Sequence, residues 1–489
     1  MIISAPALEP FFSGYGRLVI LQDNSPVVKT RCDIEVSLES GGQLISKMEV
    51  KPRSQQELRE YLAFTSEGNK IRRRVEPVRV AFKGHNSIGD SLVSTNGRWY
   101  GETIQAQGND VQIALRAHLR SCEIARRDIV PALKSDVVIY YLTNCLLFYL
   151  GLENPEDLNT VRGASDPLAW ELDDLSLTIH RLSTYCQFDS HSAENPSGVS
   201  AALVIRSSSS VFEDLEMFDA LAQDVCDLLT FATNNTVAFA IREYYPAVTG
   251  RPVVRYYSRR LLQFEGGKRI IPGGPIEGAE RDLHRLHLRY FLQRALPKYR
   301  GTFRKSLLRD CIQLLVESYR SAQPTTEYTL VFIALERLRT LLRDSGSVVN
   351  RLAPNWDEMV KGDLGTSVIG TIEDAIGVIS NRSKERIRRK LREANRLDQS
   401  AVLSQLANRY GVRGLRRSHT KLRNKIFHEG GSFPYQDDHV RSHSRILRHV
   451  IQCIILKELD YDGYCCTEAA HWFVFDIRKG LRIRFSDDK

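Results

Sequence analysis

No stretch of this chain is apolar enough to cross a bilayer. The longest hydrophobic run, around Val137 to Leu150, is broken by Thr143, Asn144 and Cys145 and reads as core. The opening residues Met1 to Pro10 lack a basic start and a long apolar stretch, so no secretory signal is expected. The nine cysteines are an odd number without framework spacing. No CxxC pair marks a zinc site, and buried thiols in a reducing cytoplasm are the expectation. Gly266-Gly267-Lys268 lacks the spacing and the following Ser or Thr of a phosphate loop, so a nucleotide site is not read there. His180, Cys186 and His191 share no helix or strand face by any ligand spacing, and they are read as part of a polar surface loop. No metal or other cofactor is implied. Acidic residues are in deficit, 59 against 68 Lys and Arg, which leaves a net charge of +9 and a pI near 9.0. Arginine is commoner than lysine, and its forked guanidinium suits phosphate, so the balance favours a polyanionic partner.

At 489 residues the chain is too long for one core. Its first half alternates with period two at Cys32 to Leu38, Val78 to Phe82, Val111 to Leu115 and Leu175 to Ile179, with further apolar runs at Leu18 to Leu21, Leu44 to Val50 and Ala202 to Ile205. Many short strands joined by Gly, Asn and Ser turns predict an antiparallel sandwich or barrel. Ser210-Val211-Phe212-Glu213 has the form of a capping box, opening one helix over Phe212, Leu215, Phe218, Leu221, Val225, Leu228 and Leu229. Strand character returns at Val237 to Ile241 and Val253 to Tyr257. The triplet Arg72-Arg73-Arg74 reads as a solvated loop.

Gly266-Gly267 and Pro272-Gly273-Gly274-Pro275 then mark a boundary. The expected organisation is a β-rich, sandwich-like domain over 1–265, a Gly/Pro linker over 266–280 and an all-α bundle with a short closing hairpin over 281–489. The fold class is therefore α+β. Within the bundle, Tyr328, Val331, Phe332, Leu335, Leu338 and Leu342 form one stripe, and Leu447, Val450, Ile451, Ile454 and Ile455 another. Asp398 and Gly411 read as the cap and stop of one helix, and Gly430 as the stop of the next. Trp472 to Phe475, a Lys479-Gly480 turn and Leu481 to Phe485 read as the hairpin.

Charge is uneven along this half. Between Arg382 and Lys425 fifteen Lys or Arg face three acids, Glu385, Glu393 and Asp398. The run leads into Leu422-Arg423-Asn424-Lys425-Ile426-Phe427-His428-Glu429-Gly430-Gly431. Arg-x-x-x-x-His is expected about once by chance in such a chain, and Asn after the arginine lowers that to about one in twenty-five. Asn424 and His428 are i and i+4 on one helix face, and the long Arg423 side chain reaches round from beside it. Cleavage of RNA by its own 2′-hydroxyl needs a proton carrier and a cation for the crowded phosphorane, and His428 and Arg423 supply these without a metal. A helix C-terminus favours imidazolium at His428. Asn424 is suited to fix the imidazole tautomer or to hold a phosphate oxygen. The competing structural reading has Arg423 capping carbonyls or pairing with Glu429, and His428 as a polar helix end.

Arg423 to His428 followed by glycine resembles the Arg-polar-x-x-x-His signature of HEPN domains. Tyr328-Thr329-Leu330-Val331-Phe332-Ile333-Ala334-Leu335-Glu336-Arg337-Leu338 is similar to an earlier helix of that domain in ApeA-like anti-phage proteins. The likeness covers about Arg281 to Leu459, and the long segment between Arg343 and Leu415 departs from it. The resemblance implies a metal-independent endoribonuclease whose site is completed across a homodimer, leaving 2′,3′-cyclic phosphate ends and acting as a toxin in phage defence. Arg423, Asn424 and His428 are then catalytic and Glu336 a supporting acid. Arg413, Arg416, Arg417, Lys421 and Lys425 are the expected RNA contacts. RNA, with tRNA among the candidates, is the expected substrate, with a phage-derived or protein trigger on the N-terminal domain, no membrane partner and a cytoplasmic location. The alternatives are a non-catalytic RNA-binding or scaffolding protein, and a ligand sensor whose HEPN unit only dimerises.

Overall fold

The computed structural model describes residues 12–22, 25–38, 43–51, 54–65, 78–107, 110–127, 136–143, 145, 168–181, 199–207, 215–247, 252–257, 270–271, 288–344, 356–394, 405–406, 408–411, 417–428, 437–466, 468 and 474–477. The chain is mixed α+β and divides into two compact units, Met1–Pro297 and Lys298–Lys489. The division falls inside the helix Leu288–Gly301. Of the Gly/Pro stretch, Ile270 and Ile271 are described: both are buried, and both amides donate to the Ala232 carbonyl.

The first unit is built on strands β1 (Phe12–Gln22), β2 (Ser25–Leu38), β3 (Leu44–Lys51), β4 (Arg79–His85), β5 (Ser91–Gln107) and β6 (Asp110–Leu119). They pair in the order β4-β1-β2-β3-β6-β5, and β4 also pairs with β5, which closes six antiparallel strands into a barrel. Alternation fills it: in β4, Val80 and Phe82 point inward while Arg79, Lys83 and His85 stay outside. Leu18, Ile20, Ile34, Val36, Ile113 and Leu115 complete the interior, joined by Tyr61 of helix α1 (Gln55–Thr65). Closure needs a close approach where Gly16 faces Gly84. A Cβ on Gly16 would lie 2.3 Å from the Lys83 carbonyl oxygen and 2.4 Å from the Gly84 Cα.

From β5 the same sheet runs on through β7 (Ser121–Ala125), β13 (Val253–Tyr257), β12 (Ala238–Tyr245), β8 (Val137–Thr143), β11 (Val199–Ser207), β10 (Leu175–Arg181) and β9 (Leu168–Leu172). Of the two expected architectures, sandwich or barrel, the barrel forms, in place of the sandwich-like domain expected over 1–265, and it continues into an open sheet. Every residue of β8 is buried, which is why Val137 to Leu142 run without the polar alternation of β4. Helix α2 (Leu215–Thr233) is tied to the sheet by Arg242, whose guanidinium meets both Asp219 oxygens at 3.1 and 3.0 Å while Tyr140 and Tyr257 donate to the same carboxylate.

After α3 (Leu288–Gly301), the second unit runs through α4 (Lys305–Arg320), α5 (Pro324–Asp344), α6 (Trp356–Lys361), α7 (Asp363–Ile376), α8 (Asn381–Ala394), α9 (Arg417–His428) and α10 (Asp437–Glu458). All six members of the α5 stripe are buried, as are Leu447, Val450, Ile451, Ile454 and Ile455 of α10. Gly411 takes a positive φ of 59°, the conformation expected of a helix stop, while Asp398 and Gly430 lie outside the described residues. β15 (Val474–Asp476) pairs with the preceding β14 (Tyr464–Cys466); the Lys479-Gly480 turn and the Leu481 to Phe485 strand of the expected hairpin lie outside the described residues. No described helix is long and apolar enough to cross a membrane.

Candidate active site

Helix α9 is short and strongly basic, and an isolated helix of this length is marginal in water. Leu422 supplies its buried apolar anchor, while Lys421 and Asn424 face solvent. Two polar ties fix its first turns. The Tyr328 hydroxyl of α5 donates to the His419 carbonyl at 2.8 Å. The buried His419 ring meets His443 of α10, Nδ1 to Nδ1, at 2.9 Å, so one ring carries the proton and the other accepts it. His439 lies edge-on to His443, with ring centres 4.6 Å apart.

One turn after His419, Arg423 is half-buried. Its Nη1 donates to Asn424 Oδ1 at 3.0 Å, and its guanidinium lies 5.8 Å from the Phe332 ring centre. Tyr328, Phe332 and Glu336 are spaced by four on α5, so they form one ridge facing α9. Burial pushes the Glu336 carboxyl above the usual range, while Arg339, paired to it at 3.0 Å, and then Arg423 pull it back. Arg423, Asn424 and Glu336 are thus gathered into one neighbourhood. His428 is the last residue of α9, one turn beyond Asn424, and its side chain lies outside the described residues.

No family model, curated protein or solved structure matches the chain.

The expected RNA contacts divide. Arg413 and Arg416 lie outside the described residues, as does the side chain of Arg417, while Lys421 is exposed and Lys425 half-buried. Part of the basic run in α8 is neutralised locally, with Lys384 2.8 Å from Glu373 and Arg388 2.7 Å from Glu385. Arg382, Arg386 and Arg389 are exposed. Of the loop reading around His180, only His180 is described; it belongs to β10, and burial lowers its pKa. Arg72, Arg73 and Arg74 lie outside the described residues.

A buried ion cluster joining α5 to α10 escaped the sequence reading. Arg448 of α10 meets Glu327 of α5 at 2.8 Å, with side chains only 3% and 4% exposed. Arg441 reaches the other Glu327 oxygen at 3.3 Å, and Glu468 binds both Arg448 and Arg445. Arg448 also lies over the Tyr319 ring, 4.1 Å from its centre. Burial pushes the Glu327 carboxyl up, and Arg448 and Arg441 pull it back. The available signal was the spacing of Arg441, Arg445 and Arg448 along one side of α10, beside its apolar stripe. His449, on the same helix, is buried beside Cys453, and burial lowers its pKa from 6.5 to about 4. Among the described residues no group of three or more His, Cys, Asp or Glu is arranged to hold a metal ion.

Proposed function

We propose that the second unit is a HEPN-type endoribonuclease that cuts RNA through attack by the 2′-hydroxyl, with the working site completed in a homodimer. The observation that carries this reading is the setting of Arg423. It is a half-buried guanidinium steered by Asn424 and Phe332 and electrostatically coupled to Glu336, on the helix that ends in His428. A partly desolvated cation stabilises the charge of a phosphorane more strongly than one in bulk water. In this mechanism His428 moves the protons, Arg423 neutralises the phosphorane, and Asn424 orients either the imidazole or a phosphate oxygen. Glu336 sets the local field on Arg423. One subunit supplies one such group, and the second copy brings its counterpart to the same phosphate. In the cell this is the chemistry of a cytoplasmic toxin of phage defence, held in check by the N-terminal unit until a phage-derived or protein trigger arrives.

The test compares wild type with Arg423→Ala and His428→Ala on total RNA and tRNA in the presence of EDTA. Expected is cleavage by wild type leaving 2′,3′-cyclic phosphate ends, with each variant slower by a factor of about 100 or more and still folded by circular dichroism. Equal cleavage by all three proteins sinks the assignment. RNA affinity without cleavage in wild type replaces it by a binding module.

A further inference from the structure

The outer wall of the barrel carries cations where strand pairing makes them costly. Arg17 of β1 faces Arg31 of β2 on one side and Lys83 of β4 on the other, in direct register. All three side chains are exposed. Like charges directly opposite one another on a sheet are destabilising. Neither β1 nor β4 contains an acidic residue to offset them; the acids of β2 on the same face, Asp33 and Glu35, stand across from Tyr15 and Ser13, and Glu35 lies 4.0 Å from Lys47. Among the described residues no hydrogen bond or ion pair engages the Arg17, Arg31 or Lys83 side chain. Further along, Lys29 lies across from Val19, and Arg79 faces Arg98. Arg98 in turn faces His118, whose ring is stacked on Tyr100 with centres 4.0 Å apart. Tyr100 is 44% exposed.

We infer that this wall, from Arg31 through Arg17 to Lys83, then along β4 to Arg79 and across to Arg98 and the Tyr100–His118 stack, is a binding surface for single-stranded RNA. Adjacent strands are about 4.8 Å apart, so the Arg31–Arg17–Lys83 row spans roughly 10 Å and long side chains on it reach successive phosphates. The row supplies the electrostatic attraction, and the Tyr100–His118 pair offers a ring face for an unpaired base. An acidic protein surface would match the charge but has no use for the stacked ring. The identity of the polymer rests on the ribonuclease reading above, whereas the surface itself does not.

The experiment measures a fluorescent single-stranded RNA oligonucleotide against the full-length His428→Ala chain over a series of salt concentrations. The same chain carrying Arg17→Glu and Lys83→Glu, or Tyr100→Ala, is measured beside it. The double substitution is expected to weaken binding about tenfold or more and to lower the slope of log affinity against log salt by about 1.4, the share of two cations on a single strand. Tyr100→Ala is expected to cost about fivefold or more while leaving the slope intact. Unchanged affinity and slope in a folded double variant overturn the assignment. So does tighter binding to vesicles containing phosphatidylserine than to RNA. If wild type fails to cut RNA while the barrel substitutions still weaken binding, the catalytic reading fails and this one stands. Cleavage with no effect of the barrel substitutions on binding is the reverse.

Discussion

Glu327 is the residue whose loss should cost the helical unit most for the least change in shape. Its side chain is 4% exposed and its partner Arg448 3%, so Glu327→Ala leaves an arginine buried with part of its charge uncompensated. Removing one partner of a buried pair costs about 3–5 kcal/mol. Arg448 keeps Glu468 and the face of Tyr319, which argues for the lower end, about 3 kcal/mol. In a unit of this size that corresponds to a fall in Tm of about 6–12 °C. Glu468→Ala should cost less, about 1 kcal/mol, because Glu468 is 22% exposed and its second partner Arg445 is 48% exposed. Calorimetry gives the Tm, and hydrogen exchange resolved to peptides of α5 and α10 gives the local opening free energy. Coupling between Glu327→Ala and Arg448→Ala in a double-mutant cycle should be about 2 kcal/mol. A cost below about 1 kcal/mol for Glu327→Ala, or a larger cost for Glu468→Ala, refutes the claim that this pair ties α10 to α5.

Two further outcomes follow from the same unit. Burial holds His449 neutral with a pKa near 4 against 6.5 when exposed, so the unfolded chain binds the extra proton first as pH falls. Its contribution is present above pH 6.5 and is lost as pH falls through about 4; the full loss is about 3 kcal/mol, and His449→Leu should remove that component from stability measured against pH. Tyr328→Phe removes the hydroxyl that holds the His419 carbonyl, which should cost about 1 kcal/mol in denaturant and slow RNA cleavage more than it lowers stability. An unaltered cleavage rate would show that this tie does not position α9.

Much of the architecture could be read because it rests on local pattern. Alternation located β2, β4, β6 and β10, and spacing by three and four located the α5 and α10 stripes, all of which are buried. Strand β5 was not seen, because Asn96, Gly97 and Gly101 dilute its pattern and register shifts at Val80/Phe82 and Trp99/Gly101 break its phase. Helix α1 went unread because it is short and polar, with Leu58 and Tyr61 as its packing residues. A sandwich and a barrel ask the same alternation of a strand, so the choice between them was not written in any one segment. It lies in β4 pairing with both β1 and β5, helped by the opposed Gly16 and Gly84.

The candidate site divides the same way. Arg423, Asn424 and His428 were visible because one helix carries all three. What aims them was not, because it joins residues far apart in sequence: Tyr328 to His419, His419 to His443, and Glu327 to Arg448. Burying Leu422 holds α9 against the unit but is non-directional, and alone it would let a short helix roll. A hydroxyl-to-carbonyl bond and a ring-to-ring bond at its first turns are directional and reach two different neighbours, so together they fix the rotation. That rotation is what presents Arg423 to Phe332 and Glu336. On the proposed ribonuclease reading, the buried polar ties act through geometry, and substitutions that weaken them should reduce cleavage while Arg423 and His428 are still present.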